Sequence, residues 1–329
     1  MANKALSRLE RVYVTMEDPA AYATAVAPAG TDAVRNIKLQ MENDVKLLER
    51  QDKTGTRSRV AGVKGRFSGK WSFEASLVGS GSNAVLPPHD KFFQLLFGQA
   101  ASGMTYTLSD NITVADIWSF RRPTTVEQRV GVGAVLDNFE FTLGQDIATF
   151  RCDGALSYVI GSTNFDTSLI KGGLGSFPAE PGTPTYVDAG IIAGFTGNIT
   201  LAGQTITNFR SCTIKGKTGN VLTTDTFGSY NATGTEGDER QFSFSCSAYD
   251  DDSTAIGVIK AACESKAPVN ATIQIGTVAG SIATFTLHGI QLASPTYDDS
   301  RRNYVLNIPD SPINGSDPTL RDEMSLAWS

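Results

Sequence analysis

Two groups of carboxylates in the second half of the chain have the residue types of a metal site or of an acid–base pair. Asp250, Asp251 and Asp252 form one group, and Asp298 and Asp299 form the other. Carboxylates clustered in loops bind Ca²⁺, and paired carboxyl groups hydrolyse glycosidic bonds. The spacing of an EF-hand loop is missing, and a solvated turn that caps a helix at the next residues explains the first group more simply. We therefore expect no metal and no catalytic site, and we retain a glycan hydrolase as an alternative.

The other residues that could carry chemistry are separated or lack their motif. His89 lies in a Pro-rich turn and His288 at the end of an alternating strand, far apart in the sequence. No Gly-x-Ser-x-Gly motif marks a nucleophile, and no P-loop is present. Gly131-Val-Gly133 lacks the third glycine of a dinucleotide fingerprint and precedes a strand. We expect that the protein is not an enzyme and uses no cofactor.

A basic arm at about residues 49–66 is the remaining feature, and it is rich in Gly, Thr and Ser. Its cations are Lys53, Arg57, Arg59, Lys64 and Arg66. Nucleic-acid binding would call for interleaved aromatic side chains and a basic protein, but only Phe67 is near and the net charge is -6. A solvated hairpin loop is one interpretation. An arm that docks on another copy is the other, because the acidic remainder of the chain offers it a partner of opposite charge.

Composition sets the broad class. The 329 residues are 40% hydrophobic and 19% charged, which allows folded cores in about two domains of roughly 100–200 residues each. The N-terminal residues lack the apolar segment of a secretion signal, and no apolar run is long enough to span a membrane. We expect a chain made in a reducing cytosol, with no membrane partner and with cysteines that are buried free thiols: Cys152, Cys212, Cys246 and Cys263. A pairing of Cys212 with Cys246 on neighbouring strands stays open.

The clearest element is a strand at residues 71–77. Apolar and polar side chains alternate there with period two, which predicts a half-buried antiparallel strand. The polar positions of this strand, and of a similar one at residues 242–247, are candidates for a free polar face: Ser72, Glu74, Ser76, Ser243 and Ser245.

The second half of the chain repeats the order of elements in the first. A strand, a polar Gly/Thr-rich arm, an alternating strand and a short helix occur once from Asn36 and again from Asn208. The predicted helices follow residues 88 and 253, the first with Asp90 as its N-cap, and their core side chains are Phe92, Phe93, Leu96, Ile256 and Ile259. We interpret this as a duplicated domain, and chance similarity between β-rich segments is the alternative. The predicted division is a first domain at 1–175, a Gly/Pro-rich linker at 176–186, a second domain at 187–310 and a C-terminal segment at 311–329.

This pattern resembles the tail tube proteins of long-tailed bacteriophages. The resemblance rests on the strand and arm before residue 71, on LPPHDKFFQLLFG at 86–98 and on the hairpin FEFTLGQDIATFRCDGALSYV at 139–159, and it covers 187–310 more weakly. It implies a mainly β protein with two tandem β-sandwich, tube-type domains. Each domain would have one short flanking α-helix and a long β-hairpin arm, and copies would assemble into a β-barrel ring.

The same resemblance implies a function and partners. The rings would stack into the tail tube of the virion, with the basic arm reaching the adjacent ring. Two domains per chain imply a homotrimeric ring with pseudo-sixfold symmetry, where a single-domain subunit would form a hexamer. Tape measure, tail terminator and baseplate or distal tail proteins would be its other partners. Assembly would take place in the cytoplasm of the host bacterium.

The free polar face would line the channel of such a tube. A polar or acidic lining repels phosphate, so phage DNA would pass through it without specific binding. The main alternative is a baseplate or adhesin β-sandwich that binds a host glycan, for which aromatic residues in loops are the candidates: Tyr230, Tyr249 and Tyr297.

Overall fold

The computed structural model describes residues 9–18, 21–49, 61–121, 127–144, 146–167, 174–187, 190–194, 196–206, 208–227, 229, 231–251, 253–299, 303–317 and 319–329. The strands in chain order are β1 Arg11–Met16, β2 Ala33–Val34, β3 Lys38–Leu48, β4 Val63–Ser76, β5 Thr105–Thr107, β6 Ala115–Phe120, β7 Arg129–Leu143, β8 Thr149–Leu156, β9 Tyr158–Gly161, β10 Gly197–Leu201, β11 Gln204–Ile206, β12 Phe209–Lys217, β13 Asn220–Thr223, β14 Gly234–Gly237, β15 Gln241–Tyr249, β16 Val269–Ile275, β17 Ala283–Ile290, β18 Thr296–Asp298, β19 Val305–Ile313 and β20 Met324–Trp328. The helices are α1 Asp90–Phe97 and α2 Thr254–Ser265.

Most strands belong to one large antiparallel system with two layers. The principal sheet runs β3–β4–β8–β7–β12–β15–β19–β18. A second sheet runs β11–β10–β16–β17–β20–β5 and joins the first where Ile290 pairs with Ile313. The N-terminal part of β7 also pairs with β6 and β9, and β6 continues to β1 and β2. The prediction of a mainly β protein is confirmed.

Period-two alternation explains why the principal sheet is apolar on one face. Phe73 in β4 is buried, and its neighbours in the strand, Ser72 and Glu74, are half-buried on the opposite face. On the apolar face, the ring of Phe141 in β7 stacks on Phe150 in β8 at 4.7 Å and meets Phe285 of the second sheet at 4.8 Å. Burial of each such ring stabilises the fold by about 1.5–3 kcal/mol. The second sheet therefore covers the apolar face of the first.

One hydrophobic core extends through both halves of the chain. Phe139 in the first half lies 5.2 Å from Phe242 in the second, and Phe93 in α1 lies 6.2 Å from Trp328 at the C-terminus. The predicted arrangement of two domains is therefore not confirmed. In the described part of the chain the principal sheet does not close into a barrel, because its end strands β3 and β18 do not pair with each other.

The two predicted helices are present, and each lies directly after an alternating strand. Their predicted core side chains are all buried: Phe92, Phe93, Leu96, Ile256 and Ile259. Asp90 is not the N-cap of α1. His89 occupies that position, and Asp90 instead accepts hydrogen bonds from Gln94 (2.8 Å) and from the Tyr106 hydroxyl (2.7 Å). No helix among the described residues is long and apolar enough to cross a membrane.

The two segments predicted as a linker and as a C-terminal extension are packed into the fold. In the linker, Phe177 lies 5.5 Å from the ring of Trp118, and Glu180 forms an ion pair with Arg11 at 2.9 Å. At the C-terminus, β19 continues to Ile313, and β20 inserts between β17 of the second half and β5 of the first. The linker therefore packs on the first half, and the C-terminal segment ties the two halves together.

A buried carboxyl pair lies beneath β1, β6 and β7. Glu17 accepts a hydrogen bond from the Gly133 amide at 2.7 Å, and Asp116 accepts one from the Val26 amide at 2.8 Å. Burial raises the pKa of both carboxyl groups, and the neighbouring charge of Glu17 raises the pKa of Asp116 further. The pair therefore favours a shared proton, with one carboxyl group donating to the other.

This pair makes the fold less stable as pH rises. In the unfolded chain both groups ionise near their ordinary pKa of about 4, but the native pair retains a proton to higher pH. The free energy of unfolding therefore falls as the pH rises above about 4, until the native pair itself ionises. We expect Asp116→Asn to raise the free energy of unfolding at pH 8 by about 1.4 kcal/mol or more, the free energy of a tenfold change in proton affinity, and to flatten its pH dependence, because the amide is neutral at every pH. Denaturant unfolding from pH 5 to pH 9 measures this. Glu264→Gln, on the exposed side of α2, is the control and should change neither quantity, and a destabilised Asp116→Asn at pH 8 would contradict the shared proton.

Candidate assembly site: the sheet edges and the polar face

The two halves of the chain are joined by direct strand pairing between β7 and β12, which we call the internal seam. Cys212 lies opposite Leu143, Ile214 opposite Phe141, and Lys215 opposite Glu140. The apolar members of these pairs are buried and belong to the common core. The internal seam thus shows that β7 of the first half and β12 of the second half are complementary.

Each strand of the internal seam has a counterpart at one end of the principal sheet. β3 corresponds to β12, because each pairs with the alternating strand of its own half, β4 or β15, and precedes it in the sequence. β18 corresponds to β7. In the first half, β7 forms a hairpin with β8, and β8 pairs with the alternating strand β4. In the second half, β18 forms a hairpin with β19, and β19 pairs with the alternating strand β15. Within the described residues, β3 forms strand pairs only with β4, and β18 only with β19. The chain therefore presents two open edges whose counterparts pair with each other internally.

The candidate channel-lining residues all lie on the face of the principal sheet that the second sheet leaves uncovered, which we call the polar face. Ser72, Glu74, Ser76, Ser243 and Ser245 are each half-buried and alternate with buried apolar residues. A row of hydroxyl groups crosses five strands of this face: Ser76, Thr149, Thr142, Thr213 and Ser245. Short hydroxyl side chains leave this part of the face flat and without charge.

A second row on the polar face alternates in charge. Cross-strand pairing connects, in order, Lys38, Glu74, Arg151, Glu140 and Lys215. Lys215 also forms an ion pair with Asp310 in β19 at 2.7 Å. Directly opposed unlike charges stabilise a sheet by about 0.2–1 kcal/mol per pair. With Asp310 counted, three cations face three anions, so the charges balance and the face is polar, with its acidic residues matched by basic ones.

Sequence reasoning missed most of this row. It identified Glu74 from its strand alone. Arg151, Glu140 and Lys215 become neighbours only through the register of β8, β7 and β12. The alternation of Phe139, Glu140 and Phe141 was the available signal, since it assigns Glu140 to the face opposite the phenylalanines.

The structure describes only the base of the basic arm. The hairpin of β3 and β4 extends to the pairing of Leu48 with Val63, and both side chains are exposed. Arg66 donates hydrogen bonds to the backbone carbonyls of Thr224 and Thr226, the latter at 3.3 Å, and so connects this hairpin to the arm of the second half. Lys53, Arg57 and Arg59 lie outside the described residues, as does the side chain of Lys64.

The acidic groups and the histidines serve structural roles where they are described. Asp250 pairs with Lys260 at 2.7 Å, and Asp251 accepts a hydrogen bond from the Ser253 amide, which lowers the pKa of Asp251. Ser253 itself is the N-cap of α2. His89 is buried with its Nε2 3.2 Å from the Arg35 carbonyl oxygen. Among the described residues, no three His, Cys, Asp or Glu side chains are placed to hold a metal ion.

The cysteines are buried, and the two candidate loop tyrosines that the structure describes lie in strands instead: Tyr249 ends β15 and Tyr297 is in β18. All four cysteines are buried and unpaired, and burial raises the pKa of the Cys212 thiol, which lies directly across from Cys246. Tyr249 lies under the Arg210 guanidinium at 5.4 Å and Tyr297 under the Lys260 ammonium at 5.5 Å, whereas Tyr230 lies outside the described residues.

No protein-family model matches the chain, and no curated protein matches its sequence.

The alternating row predicts a salt-dependent effect of charge reversal. Glu140→Lys places a cation between Arg151 and Lys215, so we expect it to lower the free energy of unfolding by about 1 kcal/mol more than the neutral control Glu140→Gln at low salt. The difference should shrink at 1 M NaCl, where the Debye length is about 3 Å. Chemical unfolding of both variants at two salt concentrations measures it. Equal stabilities at low salt would show that the row contributes no electrostatic energy.

Proposed function

We propose that this chain is the subunit of the tail tube of a long-tailed bacteriophage, a structural protein that forms rings by edge-to-edge strand pairing and stacks them into a conduit for DNA. The observation that supports the proposal is the pair of open edges, β3 and β18, whose counterparts β12 and β7 pair inside the chain. An open strand edge leaves backbone donors and acceptors without partners, and closing a ring of strands removes such edges.

Three copies are the number that the resemblance implies, and the geometry of the sheet agrees with a hollow ring of that size. Each copy would contribute the strands of the principal sheet, so a trimer would have about 24 strands. At about 4.8 Å between strands and a tilt of 35–45°, such a barrel measures roughly 45–50 Å across its backbone. Barrels of about 16–18 strands already enclose an aqueous channel. The two similar halves of each copy would give the ring its pseudo-sixfold symmetry.

The polar face is the surface that would line this channel. The apolar face is already covered by the second sheet and the helices, which leaves the polar face, with Ser72, Glu74, Ser76, Ser243 and Ser245, for the interior. DNA binding requires an excess of Lys and Arg that releases counterions from phosphate. Charges that balance within a row supply no such excess, so a duplex would move past this surface without being held.

Stacking of rings would use the basic arm. In this proposal Lys53, Arg57, Arg59 and Lys64 contact the next ring, in keeping with the overall charge of -6, and Arg66 holds the base of the arm through Thr224 and Thr226. The ends of the tube would meet the tape measure, terminator and baseplate proteins, and the mature protein would reside in the virion tail.

Negative-stain microscopy and light scattering of the purified chain test this function. We expect rings with the mass of three copies and hollow rods built from them. Monodisperse monomers over the whole accessible concentration range would overturn the proposal, and monomers that bind a glycan array would favour the adhesin instead.

The role of the arm is tested separately. Replacing residues 51–60 with an Asn-Gly turn should preserve the β3–β4 hairpin, because this dipeptide favours a tight two-residue connection between antiparallel strands. We expect the variant to keep its fold and to form rings, but to lose rods. A second variant keeps the length of the arm and changes Lys53, Arg57 and Arg59 to Ser, so that it separates the effect of the charges from the effect of the length. Rods of normal length from the shortened variant would exclude the arm from stacking.

A further inference from the structure

The internal seam specifies which residues meet when two copies join. We infer that β18 of one copy pairs with β3 of the next in the register of the internal seam, so that Tyr297 of one copy lies opposite Ile37 of the other. This inference rests on the proposed function, since it assigns the contacts of the same ring. It goes further by naming one register out of several that two antiparallel edges could adopt.

The first step is the equivalence of Ile37 and Cys212. Lys38 lies opposite Glu74, and Thr213 lies opposite Ser245. Glu74 is the fourth residue of Trp71-Ser-Phe-Glu, and Ser245 is the fourth residue of Phe242-Ser-Phe-Ser. The two therefore occupy the same place in the alternating strands. The preceding residues, Ile37 and Cys212, therefore correspond. Ile37 is the residue just before β3, and its amide donates to the Glu74 carbonyl at 2.7 Å, so it is held next to β4.

The second step is the equivalence of Tyr297 and Leu143. Ser76 and Ser247 are counterparts in the alternating strands, and they lie opposite Thr149 and Asn307 respectively. In the hairpins, Thr149 lies opposite Thr142, and Asn307 lies opposite Thr296. The next residues along β7 and β18, Leu143 and Tyr297, are therefore counterparts.

Burial supports the match between these two pairs. In the internal seam Cys212 and Leu143 lie opposite each other and are 2% and 1% exposed. Their counterparts at the open edges, Ile37 and Tyr297, are 58% and 54% exposed. Both are large and apolar. A neighbouring strand paired at each edge would cover them.

The same register brings compatible residues together on the polar face. Lys38 of one copy would lie opposite Thr296 of the other, the position that Thr213 and Thr142 occupy in the internal seam. The charged row that begins at Lys38 would then start at the boundary between copies and run away from it across the strands of one copy. No like charges would meet at the joint.

Disulfide trapping tests this register. Residues directly opposite in an antiparallel pair have Cα atoms about 4.5–5.5 Å apart, within the range of a disulfide, whereas diagonal neighbours are about 7–8 Å apart. We expect Ile37→Cys/Tyr297→Cys to form oxidised, DTT-reversible trimers on denaturing gels. The matched control Ile37→Cys/Pro295→Cys is shifted by two residues on the same face and should give at least tenfold less cross-linked product. The native cysteines are all buried and do not compete.

A mixing experiment provides a second readout that needs only single substitutions at exposed positions. Ile37→Cys protein mixed with Tyr297→Cys protein should give cross-linked dimers, and neither protein alone should. Rings or rods without these cross-links, or with stronger cross-linking of the shifted control, would overturn the register and leave the tube function standing. A wild-type chain that stays monomeric at every concentration would overturn both.

Discussion

The structure depends on the requirement that backbone amides and carbonyls in a sheet find partners. Within the chain this requirement is met at the internal seam, where β7 and β12 pair and merge two similar strand arrangements into one sheet. Among the described residues, β3 pairs with no strand besides β4, and β18 pairs with none besides β19. An edge strand of this kind is either protected by the fold or used for pairing with another chain. Here the counterparts of both edges already form a stable pair, which is the reason to regard the edges as complementary surfaces.

The two faces of the principal sheet have different roles: the apolar face forms the core, and the polar face determines the surface charge. On the apolar face, Phe141 contacts rings from both halves, so the core does not depend on a second copy. On the polar face, Glu140 pairs across the seam with Lys215, and charged residues are placed where opposite charges neutralise them. In the proposed ring, such a subunit would have its own hydrophobic core and would still present a continuous polar surface where copies join. Self-sufficient folding and open edges are therefore compatible in one chain.

Local pattern predicted the elements well and their long-range pairing poorly. The alternation at residues 71–77 identified β4, and the spacing of Phe92, Phe93 and Leu96 identified α1, because both patterns reflect burial of one face. The insertion of β20 between β17 and β5 has no corresponding pattern in the sequence, because the backbone on either side of a strand can pair with another strand. Likewise, Gly and Pro at 176–186 correctly indicated an irregular segment, but the packing of Phe177 on Trp118 depends on tertiary contacts. The candidate polar face was predictable for each strand alone, and its charged row was not, because register joins residues that are distant in sequence.

In the proposed ring, the joint between copies would be weaker than the internal seam for physical reasons. The internal seam is long, and its strands are in one chain, so they meet at the high effective concentration of an intramolecular contact. At the other edge, β18 spans only Thr296–Asp298 in the single chain, and Pro295 before it has no amide hydrogen to donate. A short edge strand next to a proline resists accidental pairing with unrelated chains. A complementary edge must therefore supply side-chain contacts as well as backbone bonds, and Ile37 and Tyr297 are the exposed apolar residues in position to do so. Specificity in such a joint comes from the side chains, since backbone pairing alone is available to any strand.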